Sequence, residues 1–329
     1  MRTFKATTPS NGYPRLLGDV GGTNIRWAWQ ASETARLEKI WAAPTKDSAS
    51  IFDSATKYLG INGLPAPRWA CIGIATAITG DHVELTNGSW SFSTSALQRE
   101  MRLERLLLIN DFTALAYSLP ALEEGDIRVL GPRLKVEPGT VALIGPGTGL
   151  GVSGLFMDKN GHHCALSGEG GHVTLCPTNE YESQVVAQLR SRFSHVSAER
   201  ALSGPGLLNL YHSVCAIASI PPSDYTSEEL TQLVINGQDP QCLETVRLFT
   251  GFLGNVAGNL ALTLGARSGV YIGGGIVQQL GTAFDERIFR ERFEGKGRFT
   301  EYLRKIPTWL ITADQPALRG ASKALDVLQ

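Results

Sequence analysis

Twice along this chain a strand-like run breaks into a glycine-rich turn and resumes as a second strand-like run. The first instance is LLGDVGGTNIRWAW at 16–29, and the second is TVALIGPGTGLGVSGLFM at 140–157. The glycine turns themselves fall at 18–23 and 145–151. The repeat is one of pattern and not of sequence identity. It predicts a duplicated α/β domain with two facing glycine turns.

The elements around each turn point to the same class. RLLGDV, the alternating IRWAWQ and LEKIWAA read as three strands in succession. DSASIFDSATKYLG (47–60) reads as a helix: Ile51, Phe52, Ala55, Tyr58 and Leu59 share a face, and Gly60 sits where the residue after a helix end belongs. WACIGIA and RLLLI (105–109) read as buried strands, and FTALAYSLP as a helix stopped by Pro120. The pattern then restarts with TVALIG and VSGLFM. Helices follow near 179–193, with an Asn179/Glu182 capping pair, near 227–236, with Thr226/Glu229, and near 241–266. GVYIGGG is a late strand ending in glycines. No Pro/Ser-rich linker divides the halves, so an extensive boundary between them is expected, and a cleft between two related α/β halves suits a ligand.

Composition removes several function classes. A chain of 329 residues, 43% hydrophobic and 19% charged, has an ordinary globular composition and length for two domains. A net charge of −1 supplies no field for nucleic acid or an anionic membrane. The cysteines Cys71, Cys164, Cys176, Cys215 and Cys242 form no C-x-x-C pair and are odd in number, which favours free thiols in a reducing compartment. MRTFKATTPSNGYP has no apolar core of a secretory signal, and residues 1–14 read as a flexible arm. The uncharged stretches at 140–157 and near 249–266 read as buried elements and not as membrane spans. Cytoplasmic location follows as the expectation.

A glycine turn between strands ordinarily supplies positive φ and nothing else. Three features go beyond that. GDVGGTN and GPGTGLG each set a threonine, Thr23 or Thr148, among glycines, so bare backbone N–H groups and a hydroxyl stand together as a phosphate requires. Asp19 beside the first turn suits a Mg²⁺ shared with phosphates. Gly273, Gly274 and Gly275 after the late strand offer bare backbone for a ring and ribose. No G-x-x-x-x-G-K-[ST] loop occurs, and GPGTGLG does not match G-x-G-x-x-G, so Walker-type and dinucleotide folds are disfavoured.

Asn110 and Asp111 stand between a buried strand and an apolar helix. Aspartate there closes the helix as its N-cap. A carboxylate at the C-terminal end of a sheet strand also projects into a ligand crevice, where it can take a proton from a hydroxyl attacking a γ-phosphate. SGEGGHVTLCP brackets Glu169 and His172 with glycines, and Glu199 precedes a further Gly/Pro loop. A neutral sugar needs several such carboxylates and amides, because each buried hydroxyl left unpaired costs affinity. GHHC (161–164), His172 and Cys176 cluster without zinc spacing and read as structural.

Taken together, LLGDVGGTNIR, LINDFTALA, GPGTGLGVS, SGEGGHV, HVSAERALSGPGLLNLY, GNLALTLG, GVYIGGGIV and KGRFTEYL resemble, in order, the bacterial glucokinases of the hexokinase/actin-like ATPase superfamily. The resemblance spans nearly the whole chain after residue 15. It implies a two-domain actin-like ATPase (ribonuclease H-like) α/β fold: a smaller domain of residues 1–121 with 313–329 and a larger one of 122–312, with a cleft between them. It implies phosphorylation of D-glucose at its 6-hydroxyl with ATP and Mg²⁺, in the cytoplasm, at the entry to glycolysis, by a homodimer. Carried over by position, Asp111 resembles the catalytic base. Asn110, Glu169, His172 and Glu199, with Asp111, resemble the sugar ligands. Asp19, Gly21, Gly22 and Thr23 resemble the first phosphate segment, with Asp19 on the metal side. Gly147, Thr148 and Gly149 resemble the second, and Gly273, Gly274 and Gly275 the adenosine segment. Pro146 stands where the family more often has alanine, and Thr174 where an acid is common. The rival readings are a kinase for fructose, mannose or an N-acetylated sugar, and a sugar sensor without turnover. The family's repressors carry a helix-turn-helix in front, for which about fifteen residues before the first motif are too few.

Overall fold

The computed structural model describes residues 12–85 and 88–327. The arm expected over 1–14 falls largely on residues outside that set. The chain divides into two compact units, Met1–Ala121 with Gln315–Gln329, and Leu122–Asp314.

The first unit opens with β1 (Arg15–Val20), β2 (Asn24–Gln30) and β3 (Glu38–Pro44), a three-strand antiparallel meander. α1 (Ile51–Ile61) follows, then β4 (Trp69–Ile74), the short hairpin β5 (His82–Glu84) and β6 (Ser91–Ser93), α2 (Thr94–Glu100), β7 (Arg105–Asn110) and α3 (Asp111–Ser118). The second unit holds β8 (Ile127–Val129), β9 (Val141–Pro146), β10 (Leu150–Met157), β11 (His163–Ser167), α4 (Glu180–Arg190), α5 (Gly204–Ala218), α6 (Ser227–Ile235) and α7 (Pro240–Leu264). β12 (Gly269–Ile272), α8 (Ile276–Leu280), α9 (Glu286–Glu294), α10 (Thr300–Arg304) and β13 (Thr308–Ile311) complete it. The last helix, α11 (Pro316–Val327), belongs to the first unit.

The repeat read from the sequence is a repeat of topology. The first sheet runs β3-β2-β1-β4-β7, and the second runs β11-β10-β9-β12-β13 with β8 added at its edge. In each, the first three strands are antiparallel neighbours, and two further strands join parallel to the first. Register aligns the strand ends. Val20 pairs with Ile74 and Ile74 with Asn110, so the first glycine turn and the Asn110–Asp111 step lie at one end of the first sheet. Ile144 pairs with Ile272, which sets the second glycine turn beside Gly273 at one end of the second sheet.

Each sheet is buried by its own helices. In the first unit Trp27, Ile51, Tyr58, Ile72 and Ile74 are fully enclosed, and the Trp27 indole N–H donates to Ser54 Oγ at 3.0 Å. α11 lies on α3 so closely that a Cβ at Gly320 would meet Ala114 O at 1.7 Å. In the second unit α7 is buried along most of its length, with Phe249, Phe252 and Leu253 in the core beside Phe289 and Phe293 of α9.

Several local expectations need correction. α1 runs through Gly60 to Ile61, and the left-handed residue past its end is Gly63 (φ 61°). Gly60 is helical, with open space where a side chain would go. The Asn179/Glu182 pair is only half a capping box: Asn179 accepts from Glu182 N, while the Glu182 carboxylate turns to Thr178 N at 2.8 Å. A reciprocal box does form at Thr226 and Glu229. GPGLLNLY is not a loop but the start of α5, capped by Ser203.

Candidate active site

At the end of the first sheet, the turn after β1 closes on itself through Gly21 N to Asn24 O, 2.9 Å. Thr45 braces it from outside, donating its hydroxyl to Gly21 O at 2.8 Å and its N–H to Thr23 O at 2.8 Å. Thr23 is exposed, and Gly22 half-buried. Gly21 does not have positive φ, so a left-handed turn conformation is not what calls for glycine there.

Asp19, in β1 next to this turn, pairs with Arg26 of β2 at 3.2 Å. Burial pushes its carboxyl above the usual carboxylate range, and Arg26 opposes that shift. A second cation near Asp19 would relieve the cost of its charge. Among the described residues no group of three or more His, Cys, Asp and Glu is placed to hold a metal. A single partly buried carboxylate of raised pKa such as Asp19 suits a metal that brings most of its ligands with it, as a metal on phosphate oxygens does.

The helix start after β7 resolves a choice the sequence left open. The N-cap of α3 is Asn110, not Asp111: Asn110 Oδ1 accepts from Phe112 N at 2.9 Å and Thr113 N at 3.3 Å. Asp111 is the first helical residue, half-buried, with one carboxylate oxygen accepting from Phe112 N at 2.9 Å. With Oδ1 of Asn110 engaged in the cap, its amide Nδ2, 3.5 Å from Thr76 O, is the group it has for a ligand hydroxyl. Gly73 of β4 lets this helix start approach: a Cβ there would lie 3.1 Å from Ala114 Cβ and 3.5 Å from Asp111 Cα.

The second unit gathers the other predicted residues. In the turn after β9, Gly147 N donates to Gly149 O at 2.8 Å, and Gly204 N donates to Gly147 O at 2.9 Å. Glu199 Oε2 accepts from Leu150 N at 2.9 Å. A Cβ on Gly149 would sit 2.5 Å from that same oxygen, so glycine is what admits Glu199 to the turn. Gly274 (φ 76°) packs on the other side, where a Cβ would meet Pro146 O at 2.2 Å. Gly273 N donates to Ile144 O at 2.8 Å, Gly275 is exposed and Thr148 is exposed. Gly147 differs from its neighbours: its φ is ordinary and a Cβ there would meet nothing within 4 Å. Neither fold nor backbone strain explains that glycine.

Glu169 precedes a 3₁₀ turn, Gly170–His172, which His172 ends, and both are exposed. Its glycines allow close packing on β10, since Cβ atoms would fall 2.7 Å from Val152 at Gly170 and 2.0 Å from Leu150 O at Gly171. The loop is stitched to the segment carrying Glu199 by Leu175 N to Val196 O (2.9 Å) and Ala198 N to Val173 O (2.8 Å). Glu169, His172 and Glu199 are thus brought together, and Glu199 also reaches the glycine turn. His195, which sequence reasoning passed over, holds the loop through Nε2 to His172 O at 2.9 Å. Only its spacing from Glu199, four residues on, could have marked it.

The profile of the glucokinase family matches residues 16–327. The glucokinase of Aromatoleum aromaticum is 49% identical over 318 residues, which cover 96% of this chain and 96% of that one. The chain belongs to the glucokinase family. A crystal structure of a glucokinase from an Antarctic psychrotroph superimposes with a TM-score of 0.84 at 33% identity, covering 95% of this chain and 98% of the other. A ROK family glucokinase from Streptomyces griseus, solved in complex with glucose and AMPPNP, shares the fold at a TM-score of 0.65 and 18% identity, over 95% of this chain and 98% of that one. The two-domain actin-like ATPase fold of these glucokinases is the fold of this chain. No helix among the described residues is long and apolar enough to cross a membrane.

Proposed function

We propose that Asp111 is the general base of the glucokinase reaction this chain carries out, the ATP-dependent phosphorylation of D-glucose. The carboxylate accepts the proton of the 6-hydroxyl as that oxygen bonds to the γ-phosphorus. The bond from the γ-phosphorus to the bridging oxygen breaks, and ADP leaves with that electron pair. Asn110, through its amide, and Glu169, His172 and Glu199 hydrogen-bond the sugar hydroxyls and fix which one reacts. The two turns, Gly21, Gly22 and Thr23 and Gly147, Thr148 and Gly149, face the phosphates with bare backbone. The Gly21 and Gly147 N–H groups close the turns, so the donors offered are those of the other four residues, while Gly273, Gly274 and Gly275 lie against the nucleoside. Mg²⁺ carried in with ATP offsets phosphate charge, and Asp19 is the side chain that would hold it. Cytoplasmic location, entry into glycolysis and a homodimeric state extend this reading, on the family resemblance.

One observation carries the base assignment: the cap of α3 is made by Asn110, so the structural job that would explain an aspartate here belongs to its neighbour. Substituting Asp111→Asn removes the basic oxygen and keeps the shape. The expected result is a fall in kcat of about 10²–10⁴-fold, read by coupled ADP release, with glucose affinity by calorimetry close to that of the parent. Turnover near the parent rate overturns the assignment.

A further inference from the structure

We propose that the second unit holds a subsite for a phosphate-type anion beside the sugar-binding side chains, and that filling it weakens glucose binding. The proposal rests on the sugar roles given above to His172 and Glu199. A cavity of about 280 Å³ is lined by His172, Arg192, Phe193, His195, Glu199 and Arg200, with Ser194 and Ser197. Two guanidiniums, two imidazoles and two hydroxyls therefore meet a single carboxylate. That carboxylate, Glu199, already accepts from Leu150 N through Oε2.

The two arginines are set in place by an aromatic ring and not by acids. The guanidinium carbon of Arg200 lies 4.2 Å from the Phe193 ring centroid, and that of Arg192 lies 5.3 Å from it. Among the described residues neither forms an ion pair with a carboxylate, while Arg26, Arg68, Arg128, Arg247, Arg290 and Arg292 all do. Arg192 has a partial structural reason, since it follows the C-cap of α4, where a cation meets the carbonyl end of the helix. Arg200 closes only a single 3₁₀ turn, Ala198–Arg200, too short to supply the carbonyl end of an α-helix. Forked donors held on a ring at the wall of a cavity suit a tetrahedral oxyanion.

The sign of the coupling follows from charge. A dianion in this cavity repels the Glu199 carboxylate and competes for the N–H of His172, the two groups this wall shares with the sugar. Inorganic phosphate and a phosphate monoester present the same oxygens. Calorimetry with each of the two, using methyl phosphate as the monoester, shows by the tighter binding which source the subsite fits.

The test compares the parent with the double variant Arg192→Gln/Arg200→Gln at constant ionic strength. Phosphate should raise the glucose KM of the parent roughly fivefold at saturation, with ATP saturating and kcat unchanged. The double variant should match the parent without phosphate and lose the response. The proposal is overturned if chloride at equal ionic strength has the same effect, or if the double variant still responds like the parent. Glucose affinity of His172→Ala without phosphate reads the sugar assignment alone, so its failure is separable from a failure of direct phosphate binding.

Discussion

The turn after β1 and the turn after β9 occupy the same place in two sheets of the same strand order, yet they are held in different ways. The first is braced by one residue just beyond its own meander, Thr45, and has a carboxylate, Asp19, in the strand that leads into it. The second has no acid in its lead-in strand. It takes Gly204, Glu199 and Gly274 from three later segments to hold its backbone. A duplicated backbone path was kept, and the chemistry around it was not. The first unit sets acids at strand ends, at Asp19 and Asp111, whereas the second sets a tightly braced loop beside a cluster of polar side chains.

The braced turn is the more vulnerable to added atoms. Gly274→Ala places a Cβ at 2.2 Å from Pro146 O and requires a side chain at φ 76°. The expected cost is about 2–5 kcal/mol of stability, measured as a lower urea midpoint at unchanged m. A midpoint equal to the parent's would show that the second turn is not locked by this contact.

The same unit also holds an ion pair with a buried carboxylate. Glu182 is only 2% exposed and meets Arg292 at 2.7 Å and Thr178 N at 2.8 Å. Burial alone would push its carboxyl up, but hydrogen bonds from Arg292 and Thr178 and the Arg292 charge hold it below its ordinary value of 4.5. An acid whose folded pKa is depressed contributes stability above its unfolded pKa and loses it as pH falls through the folded pKa. Glu182→Gln should therefore lower stability at neutral pH by about 1–3 kcal/mol. It should also flatten the decline of the melting temperature below pH 4.5. A variant with the parent's acid slope would remove Glu182 from that account.

Gly147 then separates folding from binding within the same turn. Its φ is ordinary and the space around it is open, so Gly147→Ala should leave the fold intact or stabilise it by about 0.4–1 kcal/mol. If the bare backbone serves a phosphate, the same methyl should raise the KM for ATP by about tenfold, a loss of about 1.4 kcal/mol. An unchanged KM would leave the second turn without its proposed ligand.

How much of this was readable in advance depends on how far each residue's reason lies along the chain. Both strand–turn–strand units were legible because alternation and glycine are local signals; α7 was legible as a long helix near 241–266, although it stops at Leu264 with the left-handed Gly265 as its cap. The three-residue strands β5, β6 and β8 carry too few side chains to show a period. α5 was hidden by Gly204, Pro205 and Gly206, which read as a loop although proline is well placed in a first helical turn. Gly206 is glycine for a tertiary reason, since a Cβ there would meet the Ala201 carbonyl carbon at 2.6 Å. In the site, Asn110 and Asp111 were visible as a pair, but the sequence points to Asp111 as the cap of α3, whereas Asn110 makes it, because both residue types can. The link from Glu199 to Leu150 spans 49 residues and leaves no local trace.

The fifth strands offer the finest contrast between the two sheets. β7 runs directly into α3 through Asn110, while after β13 the chain continues into Thr312 and Ala313, whose N–H groups bond Asp126 O at 2.8 and 3.0 Å. Only the first arrangement gives one residue both a capping oxygen and an amide not used by the cap, and two substitutions separate these roles. Asn110→Ala removes both and should cost about 1 kcal/mol of stability together with glucose affinity. Asn110→Ser restores a capping oxygen without the amide, so thermal stability should return to within a few tenths of a kcal/mol of the parent while the glucose KM stays raised. Recovery of both by serine would make Asn110 a helix cap and nothing more, and the sugar would then be held in the first unit by Asp111 alone.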